Sequence, residues 1–399
     1  MEVSIVDQTR WSRSIVSAWA LWVIYGILIA GMVLWTKERT VTNAYRRGVE
    51  RWFSSQPLYD DSGHGFIYFP QAALTFAPWA AMPRPVGEIS WRWACIGILA
   101  ASVAALVRCL GGDARWFLVA TLSSIATSWT SARAGQATLP MTALMIFAAL
   151  CIHRRRWWAA TWLLVLAVSV KPLAIVMVLL AGAIHPPMLW RLIVGFVVMG
   201  VAPFAAQSPA YVASQYQGCL DMLRAAYKQG ENPADYWAQL FGMLRVFGVE
   251  VSSDRQSLSR MVAAAATLAG CWWANRRLSP VRAAWYLYGL TTCYLMLFNP
   301  RTEGNTYAMI GPLYGIMLAE AWCLRRNWRM TAALVAMVTG TVGTYELTKP
   351  FVASPSQATF LAPLMCIGAT SLLIAQLVRE SRRAAGDSRS PAIIPETGP

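Results

Sequence analysis

Long apolar runs separated by short polar turns repeat along most of the chain. A crossing needs about 20 mainly apolar residues. The runs predict twelve spans, near residues 15–36, 90–107, 116–131, 138–152, 157–170, 172–185, 189–206, 257–274, 283–298, 305–323, 329–346 and 357–378. Two polar stretches are long, 37–89 and 207–256. In the first, Thr40 stands as an N-cap before Val41, Tyr45, Val49 and Trp52 at helical spacing, with Arg46, Arg47 and Arg51 on the other face. That pattern predicts an amphipathic helix lying on the membrane surface, its arginines toward phosphate head groups. Phe66-Ile67-Tyr68-Phe69-Pro70 then opens a stretch too short and too proline-rich to span, expected to dip into the interface. In the second, Val212, Tyr216, Leu220 and Leu223, then Trp237, Leu240, Phe241 and Leu244, predict two more interfacial helices joined by Gly230-Glu231-Asn232-Pro233. The expected fold is therefore an all-α polytopic membrane protein with one integral-membrane domain over 1–380. A short polar tail, 381–399, is expected to be disordered and cytoplasmic.

Charge sets the orientation. Arg108 and Arg115, Arg154 to Arg156, Arg191, Arg276, Arg277 and Arg282, Arg325, Arg326 and Arg329 occupy alternate turns. They share one side with Arg10, Arg13 and the arginines after Val378. The positive-inside rule makes that side cytoplasmic and the two long loops external. The first apolar run has no small-residue cleavage pattern after it and reads as a signal anchor. Composition agrees with lipid: 57% of residues are apolar and 13% charged, against about 25% charged in soluble domains. The net charge of +15 resides in these turns, which excludes a nucleic-acid partner and leaves membrane lipids. Seven of the eight cysteines lie in or beside spans, and Cys219 lies in an outer loop, so no disulfide framework is expected. His64, His153 and His185 are too scattered to share a metal, and no cofactor is indicated.

The unusual polar residues collect on the external side. A membrane enzyme that transfers a sugar from a lipid phosphate needs a carboxylate base, cations for the leaving phosphate, and polar groups to orient the sugar. Asp60 and Asp61 lie between Pro57 and Gly63, where the bland reading is a solvated turn. Glu303 is the competing base, and its bland reading is an ion pair with Arg301. Lys171 interrupts two apolar runs, where it either binds phosphate or snorkels to the interface beside Pro172. Arg133 and Arg301 are further cations for the phosphate, while Gln136, Tyr68, Asn299 and Asn305 could orient substrate.

In these positions the chain resembles glycosyltransferase family 87, polytopic enzymes of the GT-C superfamily. Tyr45, Pro57-Leu58-Tyr59, Phe66-Ile67-Tyr68-Phe69-Pro70 with Pro78, Gly135-Gln136-Ala137, Ser169-Val170-Lys171-Pro172, and Asn299-Pro300-Arg301 with Tyr307 and Pro312 stand in the family's order over 40–320. The resemblance implies a GT-C bundle and transfer of a hexose, usually mannose, from a polyprenyl-phosphate donor. The acceptor would be a lipid or cell-envelope glycan at the outer face of a bacterial plasma membrane. The family's base is an aspartate shortly before the tyrosine matched by Tyr45. Here Thr40-Val41-Thr42-Asn43-Ala44 contains no carboxylate, so the role falls to Asp61, Asp60 or Glu303. Members also commonly carry tyrosine-proline-proline where this chain has Tyr68-Phe69-Pro70. Two rivals stay open. A flippase for lipid-linked glycans should carry charge at mid-bilayer, whereas these candidates sit at span ends. An inactive envelope-assembly scaffold would fit the missing carboxylate.

Overall fold

A computed structural model describes residues 5–35, 40–59, 65–231, 237–352 and 358–387. Its regular elements are all helical. They are α1 (Ile5–Trp35), α2 (Thr42–Phe53), α3 (Pro70–Ala80), α4 (Arg84–Cys109), α5 (Ala114–Ala134), α6 (Thr138–His153), α7 (Trp157–Val170), α8 (Ile175–Ile184), α9 (Pro186–Val201), α10 (Pro209–Glu231), α11 (Leu240–Val246), α12 (Ser253–Arg277), α13 (Pro280–Phe298), α14 (Gly311–Ala319), α15 (Trp328–Val342), α16 (Thr344–Thr348) and α17 (Leu361–Asp387). Among the described residues each of the twelve expected spans overlaps a helical segment, the last from Leu361 on. Five of these, Ser14–Trp35, Arg84–Cys109, Pro186–Ala205, Gly304–Leu324 and Leu361–Ala385, are long and apolar enough to cross a membrane.

Local chemistry explains the ends. Asp113 caps α5 by accepting from the backbone N–H groups of Arg115 (2.9 Å) and Trp116 (3.0 Å). Gly135 ends the same helix at φ +68°, a left-handed turn that favours glycine. Trp91 Nε1 donates to the Gly135 carbonyl at 2.8 Å, and Thr42 and Arg92 fill the space where a β-carbon would stand. Lys171 is extended (φ −154°, ψ 121°) because Pro172 disfavours a helical residue before it, which separates α7 from α8.

The bundle is organised around α5. Its buried face is a stripe of small polar residues: Thr121, Ser123, Ser124, Thr127, Ser128 and Ser131. Trp22 of α1 donates to Thr121 at 3.0 Å, and the Tyr25 hydroxyl meets Ser128 at 3.0 Å. On another side α14 approaches through Gly311 and Gly315, one helical turn apart. A β-carbon on Gly315 would lie 2.6 Å from Ala120 Cα, and one on Gly311 would collide with the Thr127 hydroxyl. Small residues at four-residue spacing bring helix backbones into contact where no hydrophobic effect drives helices together. Gly315→Ala is therefore expected to lower thermal stability through overpacking, by about 1–3 kcal/mol. Nothing lies within 4 Å of a β-carbon on Gly97, so Gly97→Ala should be neutral or stabilising. Melting monitored by size-exclusion chromatography would measure both, and equal effects would show that α5 and α14 are not in tight contact.

At the end of the bundle away from Gly135, Arg282 at the start of α13 pairs with Glu320 (2.6 Å) and Glu380 (2.5 Å). Gln376 donates to both carboxylates. These residues tie α13, the turn after α14, and α17 at the end where the arginine turns gather.

The first loop departs from the expected surface helix. The apolar face of α2 packs on protein: Tyr45 lies against the rings of Tyr68, Phe76 and Trp91, Trp52 lies against Tyr211 of α10, and Val49 is buried with them. Two of its arginines serve the fold instead of lipid. Arg46 donates to the carbonyls of Trp79, Ala80 and Met82 at the end of α3, and Arg51 donates to the Leu58 carbonyl at 3.4 Å. Aromatic partners from α3 and α4 outcompete the interface because they bury the rings fully and bring backbone acceptors within reach of the guanidinium groups. Likewise α3, expected as an interfacial dip, has Ala73 and Phe76 buried in the core.

Candidate active site

Four helix ends meet at the Gly135 end of the bundle. The C-terminus of α5 brings Arg133 and the following Gln136, and the C-terminus of α7 brings Lys171. The segment after α13 brings Asn299, Arg301, Glu303 and Asn305, and the extended run before α3 brings Tyr68. These residues line two adjoining chambers. One, of about 290 Å³, is mainly apolar: Leu173, Ile175, Val176, Met222, Leu223 and Leu295 face it, with Lys171 and Asn299. The other, of about 570 Å³, is polar and includes Thr40, Asn43, Arg47, Thr130, Arg133, Gln136 and Asn305. Ile67, Tyr68, Arg301 and Glu303 border both chambers and form the partition between them.

The partition carries the chemistry. Glu303 accepts a 2.9 Å bond from Asn305 Nδ2. It makes no ion pair with Arg301, so the bland reading of this carboxylate does not hold. The Arg301 guanidinium carbon lies 5.0 Å from the centre of the Trp237 ring, and its buried Nε has no hydrogen-bond partner among the described residues. The Lys171 ammonium donates to Thr138 at 2.8 Å, across from α7 to the start of α6. Burial pulls the Lys171 ammonium below the ordinary lysine range, Glu303 raises it again, and Arg301 lowers it further. Both groups are thus within electrostatic reach of Lys171. Burial pushes the Tyr68 phenol up to about 12, keeping it a neutral donor.

Supports hold these groups in place. Tyr45 and Tyr68 share a hydroxyl contact of 2.9 Å, and the Ala137 N–H donates to the Tyr45 oxygen at 3.1 Å. Tyr59 donates to the Tyr68 carbonyl at 2.6 Å. Asn299 Nδ2 donates to Thr302 at 3.1 Å, while the Ala238 N–H donates to the Thr302 carbonyl at 2.8 Å. The arginine-bearing loop is thereby tied to the second long segment. Asn299 consequently braces its own loop as well as lining the apolar chamber.

A buried ion pair was missed by sequence reasoning. Glu88 and Arg92, one turn apart on α4, are 7% and 2% exposed and bonded to each other. Arg92 also donates to the Arg133 carbonyl through Nε (3.2 Å) and Nη2 (3.1 Å), and to Thr40 (2.9 Å). Glu88 accepts from the hydroxyls of Thr40 and Thr42. Glu88 is therefore the carboxylate nearest the Thr40–Ala44 segment among the described contacts, although it comes from a different helix and does not line either chamber. The four-residue spacing of Glu88 and Arg92 across the start of the expected span at 90–107 was the available signal.

Of the site residues expected from sequence, Glu303, Lys171, Arg301, Arg133, Gln136, Tyr68, Asn299 and Asn305 all gather at these chambers. Arg133 lines the polar chamber and not the apolar one. Asp60 and Asp61 lie outside the described residues, in the interval between Tyr59 and Gly65, and Gly65 lines the polar chamber. Among the described residues no three His, Cys, Asp or Glu side chains converge as metal ligands.

No curated protein matches the chain. The profile of glycosyltransferase family 87, however, matches residues 66–300, more than half of the chain, from Phe66 through Lys171 to Asn299 and Pro300. Tyr68, Gln136, Lys171 and Asn299 of the two chambers fall within the match, Arg301 and Glu303 follow directly after it, and the chain belongs to glycosyltransferase family 87.

Proposed function

We propose that this glycosyltransferase moves a hexose, mannose in the first instance, from a polyprenyl-phosphate donor to a lipid or cell-envelope glycan acceptor. The reaction occurs at the outer face of a bacterial plasma membrane, on a twelve-span GT-C frame. The observation that carries this reading is the shared partition. An apolar chamber suited to prenyl chain and a polar chamber suited to sugar meet at Arg301 and Glu303.

In this reading the donor's prenyl chain lies along Leu173, Val176, Met222 and Leu223, and its phosphate faces Lys171 and Arg301. Gln136, Tyr68 and Asn305 orient the sugar. Glu303 takes the proton from an acceptor hydroxyl as its oxygen bonds to the anomeric carbon. The bond from that carbon to the phosphate oxygen breaks, and its electrons leave on the phosphate, where the two cations stabilise them. Displacement in one in-line step inverts the anomeric centre. Asp61 and Asp60 are the alternative bases.

Purified protein in lipid vesicles, given radiolabelled polyprenyl-phosphate mannose and a bacterial envelope lipid extract, should form labelled glycolipid. A nucleotide-linked mannose should label nothing. Label from the nucleotide sugar alone would reject the donor assignment. Single cysteines at positions 62 and 387 test the orientation. Impermeant reagent outside cells should label the first and spare the second, and the reverse would put the chambers on the cytoplasmic side.

A further inference from the structure

The end of the bundle opposite the chambers carries a corner that the transfer reaction does not use. It is built from the C-terminus of α6, the N-terminus of α7 and the start of α9. It holds Arg154-Arg155-Arg156, Trp158, Trp190 and Arg191. The Trp158 and Trp190 rings meet edge to face, 5.2 Å apart at 90°. Arg191 lies against both, its guanidinium carbon 4.3 Å from the centre of the Trp190 ring and 5.6 Å from that of Trp158. Its Nη1 donates to the Pro187 carbonyl, while its other nitrogens, the buried Nε included, have no hydrogen-bond partner among the described residues. Arg154 donates to Cys109 Sγ at 3.4 Å. Arg155 and Arg156 are exposed and make no side-chain hydrogen bond or ion pair among the described residues.

The charge of this corner is one-sided. No Asp or Glu stands between Asp113 and Asp221, so α6, α7, α8, α9 and the turns joining them contain no carboxylate. Other described carboxylates at this end have partners: Asp113 caps α5, and Glu320 and Glu380 hold Arg282. Glu2, Asp7, Asp387 and Glu396 belong to the two ends of the chain, where side chains lie outside the described ones. Beside the arginines, α9 exposes Leu189, Ile193 and Val197 at four-residue spacing, each more than half accessible. Cations outermost, tryptophans next and an aliphatic stripe beyond them match the order of phosphate, glycerol and acyl chain in a phospholipid.

We propose that this corner binds an anionic phospholipid, its phosphate held by Arg155, Arg156 and Arg191 and its acyl chains laid along α9. Guanidinium groups suit phosphate because they donate two parallel bonds to one anion. A choline head group fits poorly. Arg191 already lies on both tryptophan rings, which therefore form no cage for a quaternary ammonium, and α6 to α9 offer no carboxylate to meet it. Lipid binding here stands apart from the transfer reaction and from which leaflet this end faces.

Native mass spectrometry of the detergent-purified full chain tests this, with phosphatidylglycerol and phosphatidylcholine of identical acyl chains as probes. The wild type should bind phosphatidylglycerol about tenfold more tightly. R155Q/R156Q should bring the two lipids to within about twofold, and R155K/R156K should keep most of the preference. Both arginines are exposed and unpaired among the described residues, so the glutamine variant should elute as the wild type does. R156Q alone should fall between the two, and it decides the matter if the double variant does not elute normally. R276Q/R277Q is the matched control. It removes the same charge from the same end, where Arg276 and Arg277 lie over Trp272 and Trp273 of their own helix (5.2 and 5.8 Å). Its preference should equal that of the wild type. An equal loss in R276Q/R277Q would mean attraction by net charge alone and would overturn the proposal. Equal affinities in the wild type, the result expected if carboxylates of the chain ends neutralise the corner, would overturn it too. Inorganic phosphate at the lipid's concentration should displace nothing, and displacement would assign the corner to a free anion instead of a lipid.

Discussion

Glu303→Gln is expected to cut sugar transfer by about 10² to 10⁴, the usual loss when a positioned general base is removed. The amide keeps the side chain's size and can still accept the 2.9 Å bond from Asn305, so the loop should hold its shape. It cannot take a proton from the acceptor hydroxyl. The rate should therefore collapse while the donor's binding constant changes little, because Lys171 and Arg301 are untouched. Asp60→Asn and Asp61→Asn are the matching comparisons. An active Glu303→Gln beside an inactive Asp61→Asn or Asp60→Asn would move the base to the segment between Tyr59 and Gly65. Normal rates in all three variants would remove carboxylate catalysis from the mechanism.

Lys171→Met should lower transfer by about 10² to 10³, the scale of losing one preorganised group that stabilises charge on the transition state. In the proposed mechanism the ammonium meets the phosphate both before and during departure, so the effect should divide between donor KM and turnover. Met comes close to the length of lysine and keeps its apolar stem. Removing a partly buried cation relieves a desolvation cost, so the variant should insert and melt at or above the wild-type temperature. Activity lost with stability kept is the signature of a functional lysine. Near-normal turnover in the same assay would reduce Lys171 to a partner of Thr138.

Much of the frame was readable from hydropathy, since in lipid every backbone polar group must be satisfied within its own helix. The apolar runs therefore overlap helical segments among the described residues, and Lys171-Pro172 marks the break between α7 and α8 because proline disfavours a helical residue before it. The candidate site was legible for a related reason. Ionisable residues such as Lys171 and Glu303 are expensive beside apolar spans, and their presence there implied a shared purpose. The first loop was less legible. Tyr45, Val49 and Trp52 form an apolar stripe whether they face acyl chains or the rings of α3 and α4, and periodicity alone does not say which. Nor does spacing reveal that Arg46 reaches carbonyls across the loop while Arg47 lines the polar chamber.

By itself, the sequence determined the class of protein, the places of its helices and the end of the bundle where polar residues collect. Those follow from local pattern: run length, proline, and charge in short turns. The tertiary structure alone decided how those residues are divided. Gly311 and Gly315 let α14 lie against α5, and Glu88 and Arg92 lock the end of α5 to the start of the first loop. Together they set Arg133 across a polar chamber from Arg301 while Lys171 faces an apolar one. Such a division depends on contacts between residues far apart in the chain, and hydropathy and turn chemistry carry no information about distance across a bundle.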